Sequence, residues 1–250
     1  MLKNNTVLLS VNVNKIALLR NSRGEDRPHL LRVIQDCVNY GAQGITVHPR
    51  PDQRHIRYDD LRLIKSLLSK QNKKIEFNIE GYPSETFMKL VRSIRPHQVT
   101  LVPDPPGALT SNQGWEIKNN ERQLKQALSK LKGDGIRTSL FMHPASNEWG
   151  RLSSLALDRV ELFTQDYANK YEINAKEAIA PYRKAAHEIM SQNLAINAGH
   201  DLNHNNLAYF VQNIPDLKEV SIGHALICEA LYDGLKTVIA SYRNHCIRTI

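Results

Sequence analysis

The sequence predicts an α/β chain folded as a (β/α)8 TIM barrel with additional helices, and three observations carry that expectation. The chain has 250 residues, a length ordinary for one such barrel and long for an all-α domain. Short Val/Ile/Leu/Phe-rich runs recur along it, separated by longer stretches of helical period, which is the alternation of parallel βαβ units. Eight such runs can be counted, the number that closes a barrel. Open doubly wound sheets usually carry fewer strands and a Gly-rich dinucleotide turn after the first. The corresponding stretch here reads Ser10-Val11-Asn12-Val13-Asn14. One domain over residues 1–250 is therefore expected.

Taken in order, the first strand is expected over Thr6–Val13, running into Asn12-Val13-Asn14-Lys15. A long polar segment, Asn14–Arg27, follows with Arg20, Arg23 and Arg27 close together. Across His29–Tyr40 apolar residues return at three- and four-residue spacing, as on a helix with one buried face. The second strand, Gly44–Val47, opens into His48-Pro49-Arg50-Pro51-Asp52-Gln53-Arg54-His55, and Asp59–Ser69 is the next helix. The third, Lys74–Ile79, begins an alternation that turns Glu76, Asn78 and Glu80 to one side and apolar residues to the other. Helix Ser84–Ile94 leads to the fourth strand, Gln98–Val102. The stretch from Pro103 to Gly114 is too long and too rich in Pro and Gly for a simple βα turn, which marks it as an active-site loop. A surface connection is the plain alternative. Helix Glu121–Lys132 and strand Arg137–Met142 come next, then the sixth strand, Arg159–Phe163, with Glu161 inside it. Helix Ala175–Gln192 precedes the seventh strand, Leu194–Ala198, which ends in Gly199-His200. Helix Asn205–Gln212 precedes the eighth, Glu219–Ile222, which passes through Gly223-His224 directly into helix Leu226–Tyr242.

Composition excludes several classes. With 41% hydrophobic and 23% charged residues the chain is globular rather than disordered. Its 33 Lys+Arg against 25 Asp+Glu leave a formal charge of +8. That balance admits nucleic acid as a partner, but aromatic residues are 6% and Lys/Arg form no long block, so small anions such as phosphates account for it equally well. No apolar run approaches the ~18–20 residues of a bilayer-spanning helix, and Met1-Leu2-Lys3-Asn4-Asn5 opens no signal peptide, so no membrane association and a cytoplasmic location are expected. Cys37, Cys228 and Cys246 are widely spaced and suggest neither a disulfide framework nor a zinc knuckle. His200 and His204 have the spacing of a helical zinc pair, but Asp201-Leu202-Asn203 lacks the Glu of that motif and His200 ends a strand, so no metal is expected. Nor is there a Gly-x-Ser-x-Gly nucleophile motif.

Barrel chemistry sits at the C-terminal ends of the strands, and here those ends are polar. A carboxylate inside a barrel needs a partner or a task. For Glu76 the plain alternative to a catalytic role is an ion pair with an Arg or His of a neighbouring strand; for His48, His200 and His224 it is a hydrogen bond to a carbonyl. Glycine at a strand end lets an oxygen-rich ligand approach the backbone, and the N–H groups of a following helix favour an anion. The Gly-His steps of the last two strands match the usual phosphate position of such barrels. Convergence of His48, Glu76, Glu161 and His200 on one mouth is the expectation that favours catalysis.

The segments Asn12 to Gly24, Gly44 to Arg50 with Arg54-His55-Ile56, Asn197-Ala198-Gly199-His200 and Ile222-Gly223-His224-Ala225, in this order over nearly the whole chain, resemble the pyridoxine 5′-phosphate synthase family. The resemblance implies a barrel enzyme, a transferase of vitamin B6 biosynthesis, assembled as a homo-octamer of dimers and using no metal or organic cofactor. It implies condensation of 1-deoxy-D-xylulose 5-phosphate with 3-amino-2-oxopropyl phosphate to pyridoxine 5′-phosphate, inorganic phosphate and water. Carried over, it makes His48 and Glu76 proton acceptors, His200 a proton donor and Glu161 a stabiliser of charged intermediates. Asn12, Arg23, Gly223 and His224 would hold the amino-ketone phosphate, and Asn14, Lys15, Arg50, His55 and Thr110 the deoxyxylulose phosphate, with Asp201 a further substrate-binding position beside a phosphate. Three positions depart from the family pattern: Asn14-Lys15 stands for Asp-His, Asp201 for a Gly, and Phe163 for a polar residue. Two other readings compete, another phosphosugar isomerase or aldolase on the same barrel and a basic nucleic-acid-binding module, the latter predicting steeply salt-dependent oligonucleotide binding.

Overall fold

A computed structural model of the chain describes residues 6–104 and 113–249. Its eight strands are β1 (Leu8–Asn12), β2 (Gly44–Val47), β3 (Glu76–Gly81), β4 (Gln98–Leu101), β5 (Arg137–Met142), β6 (Arg159–Phe163), β7 (Ala195–Gly199) and β8 (Leu217–Ile222). They pair in sequence order and all in parallel, and β1 closes on β8 through Leu8–Glu219 and Val11–Ile222. The (β/α)8 barrel expected from the strand count is the observed fold.

Around it run α1 (Asn14–Asn21), α2 (Leu30–Asn39), α3 (Tyr58–Ser69), α4 (Glu85–Ile94), α5 (Ile117–Gly133), α6 (Gln165–Tyr171), α7 (Ala175–Ser191), α8 (Leu207–Asn213), α9 (His224–Asp233) and α10 (Leu235–His245). Strand residues alternate between two environments. Ile45, Val47, Phe77, Ile79, Val99, Leu140 and Val160 are fully buried and belong to the single large apolar cluster shared with the helices. The alternate set, Thr46, Asn78, Thr100, Ser139 and Glu161, is buried and polar. Most of them satisfy one another, the Ser139 hydroxyl being the exception: Ser10 and Thr46 share a hydroxyl hydrogen bond of 2.7 Å, and the Thr100 hydroxyl lies 3.2 Å from both the Asn78 side-chain oxygen and Glu161.

Three elements differ from expectation. Asn14–Arg27 is not simply a polar connection, because its first eight residues form α1, anchored by buried Arg20. Arg20 donates to both carboxylate oxygens of Asp60 at 2.8 Å. A helix after β6, α6, is unannounced by periodicity because it spans seven residues; it is pinned by fully buried Tyr167, packed edge-on against Tyr182 and Phe210. The last expected helix divides into α9 and α10 at Gly234, whose φ of +80° only glycine adopts easily.

The third strand lies two residues later than expected, and this moves a functional assignment. Glu76 is its first residue, at the N-terminal end of the barrel, where Arg137 of β5 forms a two-pronged ion pair with it. Arg159 lies 4.0 Å from the same carboxylate and 3.1 Å from Glu219, and also donates to Asn197 at 3.0 Å. Burial raises the Glu76 carboxyl, but the Arg137 and Arg159 guanidiniums outweigh it and hold the group below the usual range. The expected proton acceptor Glu76 is thus an ion-paired group closing the bottom of the barrel. Side chains two apart share a face and each strand residue rises about 3.3 Å, so four residues on, Glu80 stands about 13 Å higher on that face.

Candidate active site

At the C-terminal ends of the strands lies a cavity of about 530 Å³. Of the residues expected to form the site, Asn12, Asn14, Lys15, His48, Arg50, His55, Glu161, His200, Asp201, Gly223 and His224 line it. Glu76 does not, for the reason given above. Arg23 does not line it either: it is exposed in the loop after α1. Thr110 lies outside the described residues. Glu80, Arg54 and Gln165 line the cavity without having been expected there. For Glu80 the signal was present in the sequence, since it shares the Glu76 face and stands nearer the strand's C-terminal end.

The strand ends hold these groups by local hydrogen bonds. Asn12 Oδ1 accepts the Asn14 N–H at 3.0 Å, and Asn14 Oδ1 accepts the His48 N–H at 2.9 Å, so the end of β1 fixes the backbone leaving β2. The His48 ring is buried with its Nδ1 3.9 Å from Glu80. Burial, with the charges of Arg50, His55 and Arg54 added, pushes His48 well below the ordinary imidazole value. Burial, with Glu161 and Asp104 nearby, pushes Glu80 well above the ordinary carboxyl value. Burial likewise raises Glu161 to about 7, against the Thr100 hydrogen bond and the His200 charge that pull it down. The site therefore offers an imidazole kept neutral as proton acceptor beside a carboxyl whose protonated form burial favours, an arrangement that divides acid and base roles by environment.

Cationic side chains and a helix N-terminus flank these groups. Arg50 Nη2 lies 2.6 Å from Asp104, both buried, so its guanidinium is oriented by a carboxylate at the root of the Pro/Gly-rich stretch. His55 packs edge-on to His48 at 6.3 Å and accepts the Ile56 N–H through Nδ1; burial and the charges of Arg50, Arg54 and Lys15 lower it to about 4. On the other side Gly223 caps α9, and Gly223 and His224 present the first turn of that helix to the cavity. A Cβ on Gly223 would stand 3.0 Å from Asn12 Cβ and 3.2 Å from its carbonyl oxygen, so glycine is what lets the ends of β8 and β1 meet. His200 and His204 are not a metal pair on one helix: His200 follows β7, while His204 Nδ1 lies 3.0 Å from the Ser241 hydroxyl.

Among the described residues no helix is long and apolar enough to cross a membrane. In fold the chain is similar to tryptophan synthase from M. tuberculosis (TM-score 0.68, 12% identity, 98% of this chain and 95% of that one). It is similar also to phosphoribosyl anthranilate isomerase from Thermotoga maritima (TM-score 0.56, 14% identity, 96% and 98%). At such identities the likeness concerns the barrel alone. In sequence it is 51% identical over 94% of its length to 97% of the pyridoxine 5′-phosphate synthase of Parabacteroides distasonis. To that of Bacteroides fragilis it is 50% identical, over 96% of this chain and 99% of the relative. The family described as pyridoxal phosphate biosynthesis protein PdxJ matches residues 9–248. The chain belongs to that family and is an enzyme of vitamin B6 biosynthesis.

Proposed function

We propose that the chain condenses 1-deoxy-D-xylulose 5-phosphate with 3-amino-2-oxopropyl phosphate to pyridoxine 5′-phosphate, with release of inorganic phosphate and water. The observation that carries this reading is the meeting of His48, Glu80, Glu161 and His200 in one cavity between two anion sockets. Imine formation, dehydration and ring closure each move protons among carbon, nitrogen and oxygen, which calls for several groups that exchange protons near neutrality. His48 and Glu80 take the proton-accepting roles, Glu80 replacing Glu76 and accepting once its own proton has been passed on. His200 donates, and Glu161 stabilises developing positive charge when ionised. Asn12, Gly223 and His224 hold the amino-ketone phosphate; Asn14, Lys15, Arg50 and His55 hold the deoxyxylulose phosphate, Arg50 exchanging Asp104 for phosphate as a forked donor. Thr110 and Arg23 keep their expected phosphate contacts as part of the proposal.

The proposal extends to a homo-octamer of dimers, supported by Leu231 and Tyr232 of α9, which are 76% and 90% exposed. It places the enzyme in the cytoplasm, where three free thiols, two of them buried, fit a reducing compartment. The test is to supply the purified protein with both phosphorylated substrates and follow pyridoxine 5′-phosphate absorbance alongside phosphate release. Product and phosphate in equal amounts are expected. A folded protein that binds either substrate yet makes no product would overturn the assignment in favour of another phosphosugar reaction on this barrel.

A further inference from the structure

His200 and Asp201 follow β7 with φ of +85° and +61°, two consecutive non-glycine residues in the left-handed region. A glycine would occupy either position without strain, whereas side chains there persist only when their surroundings hold them. The surroundings do hold them. The Thr164 hydroxyl reaches the carbonyl oxygens of Gly199 and His200, and the Asn206 amide donates to the Asp201 carbonyl at 3.4 Å. Asp201 Oδ2 lies 3.1 Å from His200 Nδ1, and Gln165 of α6 gives the same carboxylate a further hydrogen bond. The hydrogen bond with His200 is the main cause holding the Asp201 carboxyl below its usual range despite partial burial. Phe163 at the end of β6 stands edge-on to the His200 ring, centroids 5.0 Å apart. Two of the positions at which the sequence departs from its family pattern, Phe163 and Asp201, therefore meet on one imidazole.

We propose that Asp201 is a positioning residue for His200: its carboxylate accepts the Nδ1–H, Phe163 sets the plane of the ring, and proton exchange with the substrate runs through Nε2. Among the described residues, the other titratable groups lining this side of the cavity are Glu161 of β6 and His224 at the head of α9. A carboxylate on Nδ1 fixes the tautomer and the orientation of the ring, leaving Nε2 as the nitrogen that exchanges a proton with the substrate. The activity arm of the test rests on the proposed synthase reading; the spectroscopic arm does not.

The spectroscopic arm records imidazole proton–nitrogen correlations of the ligand-free, nitrogen-15 histidine-labelled protein, with His200→Gln identifying the signal. An Nδ1-protonated His200 is expected in the wild type and a mixture of tautomers in Asp201→Gly, a change the left-handed backbone accepts. A neutral His200 protonated on Nε2 alone in the wild type, or a signal identical in the two proteins, would overturn the proposal. In the activity arm Asp201→Gly should lower kcat about ten- to a hundredfold with KM for both substrates changed less than about twofold. Asp201→Asn keeps an acceptor oxygen on Nδ1 and should recover part of kcat relative to Asp201→Gly. Unchanged kcat with raised KM would make Asp201 a substrate contact instead, and an asparagine variant no better than the glycine one would remove the role of the acceptor oxygen. If the glycine variant does not fold, the asparagine variant and the wild-type spectrum decide alone. Failure of the synthase reading would show separately, as wild-type protein with an Nδ1-protonated His200 and no product.

Discussion

Single residues in this barrel are set by where they stand along the axis more than by what they are. Glu76, Glu80 and Glu161 are all interior carboxyls, yet one is held ionised by guanidiniums and two are pushed up by burial. Glu161 makes that contrast measurable. Its folded value of about 7 lies above the ordinary 4.5, so between those values the folded state binds more protons than the unfolded one. Its effect on stability is thus a penalty, absent below about 4.5 and growing as pH rises through about 7. At pH 8 the penalty is on the order of 3 kcal/mol, and Glu161→Gln removes it. Urea unfolding at pH 5 and pH 8 should show the variant losing less stability than the wild type over that interval, whereas equal losses would contradict the assignment. Chemical identity was legible in the sequence at this scale: His48, Glu161 and His200 were expected at the mouth and stand there. Axial position was less so, because an alternating Glu-x-Asn-x-Glu strand gives its face without its end point, and a two-residue shift exchanged Glu80 for Glu76.

At the scale of elements, the strands were legible because each buries a short β-branched run between Gly, Pro or Asn-rich breaks, while α6 and the extent of α1 were not. Those helices are short and owe their place to tertiary contacts, Arg20 with Asp60 and Tyr167 with Tyr182 and Phe210, which no local period announces. The α9 head was expected at the mouth from Gly223-His224, lines the cavity there, and depends on close approach to β1. Gly223→Ala must push Asn12 aside by a few tenths of an ångström, since the added Cβ would meet it at 3.0 Å. Calorimetric titration with 3-amino-2-oxopropyl phosphate should show affinity lowered about tenfold with the folded structure retained. Unchanged affinity would place that phosphate elsewhere.

Across the whole molecule, the barrel interior is mainly polar, and its two ends carry different duties. At the N-terminal end Glu76 pairs with Arg137 and Arg159 with Glu219, whose carboxyl burial pushes up to about 8; at the C-terminal end His48, Glu80, Glu161 and His200 line one cavity with Val102 and Phe141. The direction of the parallel strands assigns these duties, as in other barrels of this class. Parallel direction, strand number and the polar strand ends could be read from the sequence. An ion pair at Glu76 was the alternative reading, but its partners could not be read, because the floor joins residues 61 and 60 positions apart, Glu76 with Arg137 and Arg159 with Glu219. The most direct test of this division is to compare Glu80→Gln with Glu76→Gln in steady-state synthesis of pyridoxine 5′-phosphate, alongside thermal unfolding. Glu80→Gln should lower kcat about a hundredfold or more with the folded state intact. Glu76→Gln should keep kcat within severalfold while losing about 1–3 kcal/mol of stability, since it leaves the part-buried Arg137 without its carboxylate. Near wild-type turnover in Glu80→Gln, together with near-complete loss in a folded Glu76→Gln, would contradict the account.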